Sequence, residues 1–341
     1  MKIENNNIGY KSVLYALAGN FIITISKFIG FAFTGSAALF AEGVHSFADT
    51  ANQFLLFVGI KRSKRKASER YRFGFGQERF FWALISACGI FFVGAGVTIY
   101  HGINALISKE VSHFSIYVIY LLVIAILIEA FTLKTALSEL NFSKNKNKNK
   151  KKSLIKIIQD GDPTTVAVVL EDSVAVLGSS VALVAIYLTH ITQNYIYEAL
   201  ASIFIGMLLA IVSFVLIFKN YEYLIGKSLS EDILEKIKDK LNKDPAVEKV
   251  IDIMSSAVDV DKYHVVCEVE INGAALIRRS IENGELRDDF EDIENKYSDF
   301  VKFSLDMADR VPRLIGAHID KLGKEIHDEF EEVAQVDIEI R

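Results

Sequence analysis

Long apolar runs are the feature of this 341-residue chain that most constrains its fold. Six of them lie at about 12–34, 36–60, 79–101, 114–138, 164–189 and 195–218. A helix needs about 20 mostly apolar residues to cross the hydrocarbon core of a bilayer. We therefore predict an α-helical membrane protein with six transmembrane helices within residues 12–218, preceded by a cytosolic N-terminus at 1–11.

The composition changes sharply after the last apolar run. The whole chain is 51% hydrophobic, with a mean hydropathy of +0.28, which is too apolar for an ordinary soluble protein of this length. Residues 219–341, in contrast, contain 30 Asp and Glu against 18 Lys and Arg, a net charge of −12. Because the whole chain carries −5, the preceding residues carry +7. This pattern predicts a second, acidic domain at 219–341.

The distribution of basic residues between the runs predicts the orientation in the membrane. The segment 61–79 contains eight Lys and Arg residues, and the loop at 143–152 contains a Lys/Asn-rich run. The alternate loops contain almost none. Basic loops stay on the cytoplasmic side, so both termini and the acidic domain are expected in the cytoplasm. In a prokaryote the membrane would be the inner membrane, and the Lys/Asn run would contact anionic lipid.

Ionisable residues inside the predicted spans are the first functional signal, because charge in a bilayer is costly and usually functional. We single out six that lie deep in the spans: Glu42, His45, Asp49, Glu129, Glu171 and Asp172. The spacing of His45 and Asp49 puts both on one helix face, one turn apart, as two ligands of one ion require. An imidazole with a carboxylate suits Zn²⁺ better than Mg²⁺ or Ca²⁺.

The depths of these residues can be compared at about 1.5 Å per helical residue. Measured from the outer face, Asp49 lies at ~20 Å, Glu129 at ~22 Å and Asp172 at ~24 Å, and His45 lies one turn above Asp49. This convergence predicts a metal site made by His45, Asp49 and Asp172. Glu42 lies nearer the outer end of its helix, and we expect it to be solvated.

Two further carboxylates keep several roles open. Glu129 is a candidate metal ligand, a proton carrier, or a partner for Asn20 or Lys27. Glu171 lies about 100° round a regular helix from Asp172 and faces elsewhere, unless a local bulge rotates it inward. With a regular helix, Glu129 is therefore the better candidate for an additional ligand.

Three stretches resemble the cation diffusion facilitators, the zinc transporter family. Gly35–Thr50, with the sequence GSAALFAEGVHSFADT, is similar to that family's helix 1–2 turn and its His-x-x-x-Asp motif. Tyr71–Glu78 resembles the loop after helix 2, and Leu170–Gly178 resembles helix 5, with Asp172 on the motif aspartate. The resemblance covers almost the full chain. It looks closest to the zinc transporter nine branch, which shares the Leu-Glu-Asp of helix 5 and a tail ending in Val-Asp-x-Glu-Ile.

The resemblance implies a proton-coupled efflux transporter for a divalent cation, with Zn²⁺ as the cargo that the family favours, and a homodimer formed through a ferredoxin-like cytosolic domain. It implies no enzymatic activity, no prosthetic group and no nucleic-acid partner. One position departs from the family pattern. The usual motif has His or Asp four residues before Asp172, where this chain has Val168. Three ligands remain, and the fourth is Glu171, Glu129, water, or absent.

Two alternative functions stay open. The first is a metal-regulated membrane scaffold without transport, which the valine at position 168 favours. The second is the same type of transporter with Mn²⁺, Co²⁺ or Fe²⁺ as cargo, because oxygen-rich ligation favours harder ions. The sequence contains no nucleotide-binding motif, so an ion gradient would have to drive transport.

The acidic domain has an α+β pattern. We predict one helix, two strands, a helical stretch and a last strand, at 231–243, 247–253, 263–271, 276–331 and 335–340. The helical stretch is expected to break near Pro312. The strands also carry residue types that bind metal: His264, Glu268, Asp337 and Glu339. Carboxylates on strands mostly form a solvated face, and we expect that here.

Overall fold

The computed structural model of the chain describes residues 6–143, 163–282, 285–291, 293 and 296–341. Contacts divide it into two units, Met1–Leu224 and Ile225–Arg341. The described part of the first unit is helical: α1 (Asn6–Thr34), α2 (Ala37–Ser63), α3 (Glu78–Gly89), α4 (Gly96–Ser108), α5 (Ile116–Ser143), α6 (Pro163–Thr192) and α7 (Ile196–Leu224). A π-helical turn, Ile90–Ala95, joins α3 to α4, so that Glu78–Ser108 forms one long helix.

Four of these helices are long and apolar enough to cross a membrane, which makes the chain an integral membrane protein by length and composition. They cover Glu78–Ser108, Ile116–Ser138, Val166–Thr192 and Ile196–Leu224. The part of α1 from Gly19 to Thr34 is apolar but shorter. Helix α2 is not among the four, and it carries Glu42, His45 and Asp49.

Helix α2 is the central element of the first unit. It contacts α1, α3, α6 and α7. Gly35 has a positive φ of 68°, which permits the tight turn out of α1, and the hydroxyl of Ser36 then accepts the backbone N–H of Leu39 at 3.2 Å as an N-cap. Small side chains such as Ala38 and Ala41 are fully buried along α2, which allows its neighbours to approach closely.

The described part of the second unit combines a three-stranded sheet with helices. Its elements are α8 (Glu231–Asn242), β1 (Val247–Asp259), β2 (Lys262–Ile271), α9 (Gly273–Glu282), α10 (Glu285–Glu291), α11 (Tyr297–Glu329) and β3 (Val333–Ile340). The strand order is β1-β2-β3, with β1 antiparallel and β3 parallel to β2. Alternate β2 residues are buried, and α8 and α11 contact the outer strands β1 and β3.

The second unit corrects two of the predictions. Strand β1 continues to Asp259, six residues beyond the predicted end at 253, because it pairs with β2 along almost its whole length. Helix α11 runs through Pro312 without a break. A proline removes one N–H donor and crowds the carbonyl four residues earlier. Pro312 and Ala308 are both exposed, so water can satisfy that carbonyl.

Part of the predicted connection before α6 lies outside the described residues. The Lys/Asn run beyond Ser143 belongs to it. Helix α6 itself begins at Pro163, and a proline at the first helical position leaves no backbone N–H without a partner.

Candidate metal site

His45 and Asp49 lie side by side on α2. The Nε2 atom of His45 is 3.3 Å from Oδ2 of Asp49, and the His45 side chain is only 1% exposed. Two ligands of a tetrahedral zinc ion, each about 2.0–2.1 Å from the metal, lie about 3.3 Å apart. The pair therefore already has the separation that two ligands of one Zn²⁺ ion adopt.

The ring of His45 has unused bonding capacity. Both of its nitrogens are buried, and neither has a hydrogen-bond partner. A buried polar atom without a partner costs free energy, and native structures rarely keep one without a reason. Two such atoms on one imidazole, beside a carboxylate, are consistent with a ring that binds an ion.

Asp172 lies on α6, opposite α2. Its Oδ2 atom is buried and also lacks a hydrogen-bond partner. The carboxylate interacts electrostatically with Asp49, Glu129 and His45, so the four residues share one region of the bundle. Within the described residues, however, no three His, Cys, Asp or Glu side chains are close enough together to hold a metal ion. The structure thus brings His45 and Asp49 together and leaves Asp172 separate.

Val168 lies one turn before Asp172 on the same helix. Its side chain is 37% exposed, and its hydrocarbon atoms offer no ligand. Of these two positions on α6, only Asp172 can therefore supply a ligand.

Glu171 is held by a residue that the sequence reasoning did not single out. The Nδ2 atom of Asn52 lies 2.7 Å from each carboxylate oxygen of Glu171, and both side chains are buried. Glu171 thus faces Asn52 on α2, while Asp172 is its neighbour in sequence. Asn52 follows Asp49 by three residues and His45 by seven, so its place on the same helical face was the signal that could have identified it.

The prediction that Glu42 is solvated is wrong. Its side chain is fully buried, its Oε2 accepts a hydrogen bond from Lys27 Nζ at 2.9 Å, and the hydroxyl of Ser179 donates to the same oxygen at 2.5 Å. The first half of α2 is covered by α1 and α6 around Glu42, which depth along one helix does not reveal. Gly178 makes room for this carboxylate, since a Cβ at that position would lie 2.5 Å from Glu42 Oε1.

Glu129 joins the same polar group from α5. Its Oε1 is 3.4 Å from Lys27 Nζ, and its Oε2 is 3.1 Å from the Ser179 hydroxyl oxygen. Of the partners considered from the sequence, the structure places Lys27 against Glu129. We call Lys27, Glu42, Glu129 and Ser179 the Lys27 network.

Three of the four polar residues considered on the C-terminal sheet have a charged partner. His264 Nε2 lies 2.7 Å from Asp337 Oδ2 across β2 and β3, and Arg341 pairs with Glu268 at 3.3 Å. Hydrogen bonds from the Gln335 amide and then from His264 hold the pKa of the Asp337 carboxyl below its usual range. Asp337 remains 46% exposed.

Comparison with known proteins decides the family. Residues 13–225 match the model of the cation efflux transmembrane domain. The chain belongs to the cation efflux family. The predicted similarity to the zinc transporter nine branch is confirmed by 32% identity over 332 residues to the human protein named proton-coupled zinc antiporter SLC30A9, mitochondrial. That match covers 97% of this chain and 58% of the human protein, so the chain spans less than two thirds of that relative's length.

Two other relatives show how far the similarity extends within this family. Metal tolerance protein C4 of Arabidopsis thaliana is 30% identical over 342 residues, which covers 98% of this chain and 74% of the plant protein. The magnetosome protein MamB of Magnetospira sp. is 26% identical over 201 residues, covering 59% of this chain and 62% of that protein.

Proposed function

We propose that this member of the cation efflux family is a proton-coupled transporter that exports a divalent cation, most favourably Zn²⁺. One observation carries the proposal: the buried His45–Asp49 pair with ligand spacing, in which both histidine nitrogens lack a hydrogen-bond partner. In hydrocarbon such a pair is unfavourable in free energy unless an ion binds it. Zn²⁺ accepts this mixture of imidazole nitrogen and carboxylate oxygen readily.

Asp172 is the proposed third ligand. Its Oδ2 is buried without a hydrogen-bond partner, its carboxylate lies within electrostatic range of His45 and Asp49, and α2 and α6 are in contact. Transporters of this kind expose a midplane site alternately by rocking helices against one another. A small movement of α6 toward α2 would bring Asp172 to the ion, and water would complete the coordination in place of Val168. Glu171 and Glu129 are bound to Asn52 and Lys27, which makes both poorer ligands.

The same site supports exchange for protons. Histidine and carboxylate must lose their protons before they bind a metal ion, so proton and metal compete for the site. The name of the human relative describes a proton-coupled zinc antiporter. A pH gradient would therefore drive export, in keeping with a sequence that carries no nucleotide-binding motif.

We propose the remaining architecture on similar grounds. The six helical segments α1, α2, α3–α4, α5, α6 and α7 would all cross the membrane, with both termini in the cytoplasm because the loops with most Lys and Arg lie on that side. The sheet and helices of the second unit support a ferredoxin-like cytosolic domain at 219–341 that forms a homodimer. In a bacterium the site of action would be the inner membrane.

Transport into liposomes tests the proposal. The purified full chain would be reconstituted, and entry of Zn²⁺, Mn²⁺, Co²⁺ and Fe²⁺ measured separately under an imposed pH gradient. We expect zinc flux well above that of protein-free liposomes. The metal that moves fastest identifies the cargo, and a purely scaffolding protein would move none of them.

Two substitutions test the ligand set. Asp49→Ala and Asp172→Ala each remove a proposed ligand and should reduce metal flux to the level of protein-free liposomes. Glu110→Ala, which removes an exposed carboxylate between α4 and α5, is the matched control and should leave the flux unchanged. Wild-type flux in a folded Asp49→Ala or Asp172→Ala variant would show that the altered residue is not a ligand.

A further inference from the structure

The Lys27 network joins four helices of the first unit, Met1–Leu224, which we call the membrane unit. Lys27 comes from α1, Glu42 from α2, Glu129 from α5 and Ser179 from α6. Lys27, Glu42 and Ser179 are fully buried, and the Glu129 side chain is 17% exposed. The proposed metal ligands do not take part in its hydrogen bonds, so the network needs an explanation of its own.

The contacts of Ser179 indicate that one of the two carboxyl groups of the network, Glu42 or Glu129, carries a proton. Its oxygen lies 2.5 Å from Glu42 Oε2 and 3.1 Å from Glu129 Oε2. A serine hydroxyl has one hydrogen and can donate to only one of these oxygens. The second contact becomes a full hydrogen bond when the other carboxyl group carries a proton and donates it to the serine oxygen.

The charge balance leads to the same result. One ammonium and two carboxylates would leave a net charge of −1 among side chains that are almost wholly buried. An uncompensated charge in such surroundings is strongly unfavourable. One bound proton makes the network neutral, with Lys27 paired to one carboxylate and the other carboxyl group uncharged.

The network also lies within electrostatic range of the metal site. Asp49 interacts electrostatically with Lys27 and Glu42, and Glu129 interacts with His45 and Asp49. Asp172, on the facing helix, interacts with Glu129 as well. A divalent cation bound between these ligands would repel a proton held in the network, whereas the empty, anionic site would attract one.

We propose that the Lys27 network holds a proton that is exchanged for the metal, on carboxyl groups separate from the metal ligands. Glu129, the more exposed end, exchanges its proton with water: it releases the proton when the metal binds and takes one up when the site empties. Within the network, Glu129 gives its proton to the Ser179 oxygen while the Ser179 hydrogen passes to Glu42 Oε2, and the reverse transfer returns a proton to Glu129 for release. One O–H bond breaks and one forms at the serine, and a negative charge moves from Glu42 to Glu129. Lys27, within 3.4 Å of both carboxyl groups, stabilises the charge at either end. The proposal rests on the proposed transport function.

Two variants test the relay in liposomes that report zinc entry and proton exit together. In Glu129→Gln the amide donates to Ser179 permanently, as the protonated acid does, and cannot release a proton. In Ser179→Ala the bridging hydroxyl is lost. We expect both variants to transport zinc with one fewer proton exchanged per ion than the wild type.

A matched control separates the relay from general damage to a helix. Ser213 is as deeply buried as Ser179, but its hydroxyl bonds to the Leu209 carbonyl of its own helix at 2.7 Å. Ser213→Ala should keep the wild-type ratio of protons to zinc. If Ser179→Ala does not fold, Ser179→Thr retains the hydroxyl, and its ratio should match that of the wild type.

Binding and infrared measurements make the test decisive. Zinc affinity of Glu129→Gln should change by less than about tenfold, or ~1.4 kcal/mol. A larger loss would identify Glu129 as a ligand and overturn the proposal. Infrared difference spectra at neutral pH should show one protonated carboxyl band in the wild type that Glu129→Gln lacks. Persistence of that band in Glu129→Gln would also overturn the proposal.

The transport outcomes distinguish this proposal from the proposed function. If the wild type exchanges zinc for protons but both variants keep its ratio, the relay is wrong and the function stands. If the wild type moves no metal, the proposed function fails, and with it the role of the network in exchange. The infrared comparison would then show only whether the network binds a proton.

Discussion

Both units of the molecule bury apolar side chains, but they differ in the ionisable side chains that they bury. In the membrane unit Lys27, Glu42 and His45 are enclosed, while large apolar residues such as Phe131 and Tyr117 are 71% and 81% exposed. In the described part of the C-terminal unit most enclosed side chains are apolar, as the buried face of β2 illustrates, and His318, buried against Asp244, is an exception.

This difference in buried ionisable side chains follows from the solvent that each unit is expected to meet. Hydrocarbon cannot hydrate a polar group, so polar side chains of the membrane unit must find partners inside the protein or bind an ion. Water hydrates the charges of the C-terminal unit, and burial of apolar area stabilises its fold. A buried charge therefore points to function in the first unit, whereas a buried apolar residue points to packing in the second.

The largest expected effect on stability tests the apolar core of the C-terminal unit. Ile326 of α11 is fully buried, so Ile326→Ala should destabilise this unit by about 2–5 kcal/mol. Burial raises the pKa of the Cys267 thiol to about 12, and the residue is fully buried. Its labelling by a thiol reagent therefore reports opening of the sheet. In the full chain with a Cys88→Ala background, adding Ile326→Ala should make the labelling of Cys267 at least about 10-fold faster.

Leu305 provides the control for this experiment. It lies on the same helix but is 65% exposed, so Leu305→Ala should change stability by less than about 0.5 kcal/mol. Equal labelling rates in the Ile326 and Leu305 variants would contradict the assignment of the core.

A smaller effect is expected at the buried pair of Asn52 and Glu171. Asn52→Leu removes the amide that donates to both carboxylate oxygens and should cost about 1–3 kcal/mol, because a buried acceptor is left unpaired. The midpoint of thermal unfolding in detergent measures the loss. Replacing both partners, as in Asn52→Leu with Glu171→Met, should recover most of the stability.

The double variant sharpens the comparison between the units. Recovery would mean that the pair is a satisfied polar contact that an apolar contact can replace. A double variant no more stable than Asn52→Leu would contradict that view.

The smallest effect concerns a surface carboxylate of the second unit. The pKa of Asp337 is lowered, chiefly by the Gln335 amide and then by His264. A lowered pKa in the folded state stabilises the fold above the unfolded value, near pH 4, and this contribution disappears as the pH falls through the folded value. Asp337→Asn should cost less than about 1 kcal/mol at pH 7, since the group is half exposed.

Hydrogen exchange of β2 and β3 in the full chain, measured at pH 7 and pH 3, checks this sign. The difference between Asp337→Asn and wild type should shrink at pH 3. Glu270→Gln, which alters an exposed carboxylate on β2, serves as the control. A difference that grows at low pH would contradict the direction of the pKa change.

Local features of the molecule could be predicted from the sequence because they depend on short-range geometry. The i, i+4 spacing of His45 and Asp49 places both side chains on one helical face wherever the helix lies. Long apolar runs predict helices, and alternation predicts the buried face of β2, for the same reason. Extension of β1 depended on pairing with β2, and continuation of α11 through Pro312 depended on solvent access, so both predictions failed.

Contacts between helices were decided only by the tertiary structure. Depth along a helix says nothing about its rotation or about which neighbour covers it. Glu42 was therefore expected in solvent and is instead bound to Lys27 and Ser179. The Asn52–Glu171 pair and the Lys27 network likewise join residues on different helices. Sequence alone determined which polar groups enter the membrane, and helix packing determined which of them meet, because a bilayer forces buried polar groups to find partners without specifying those partners.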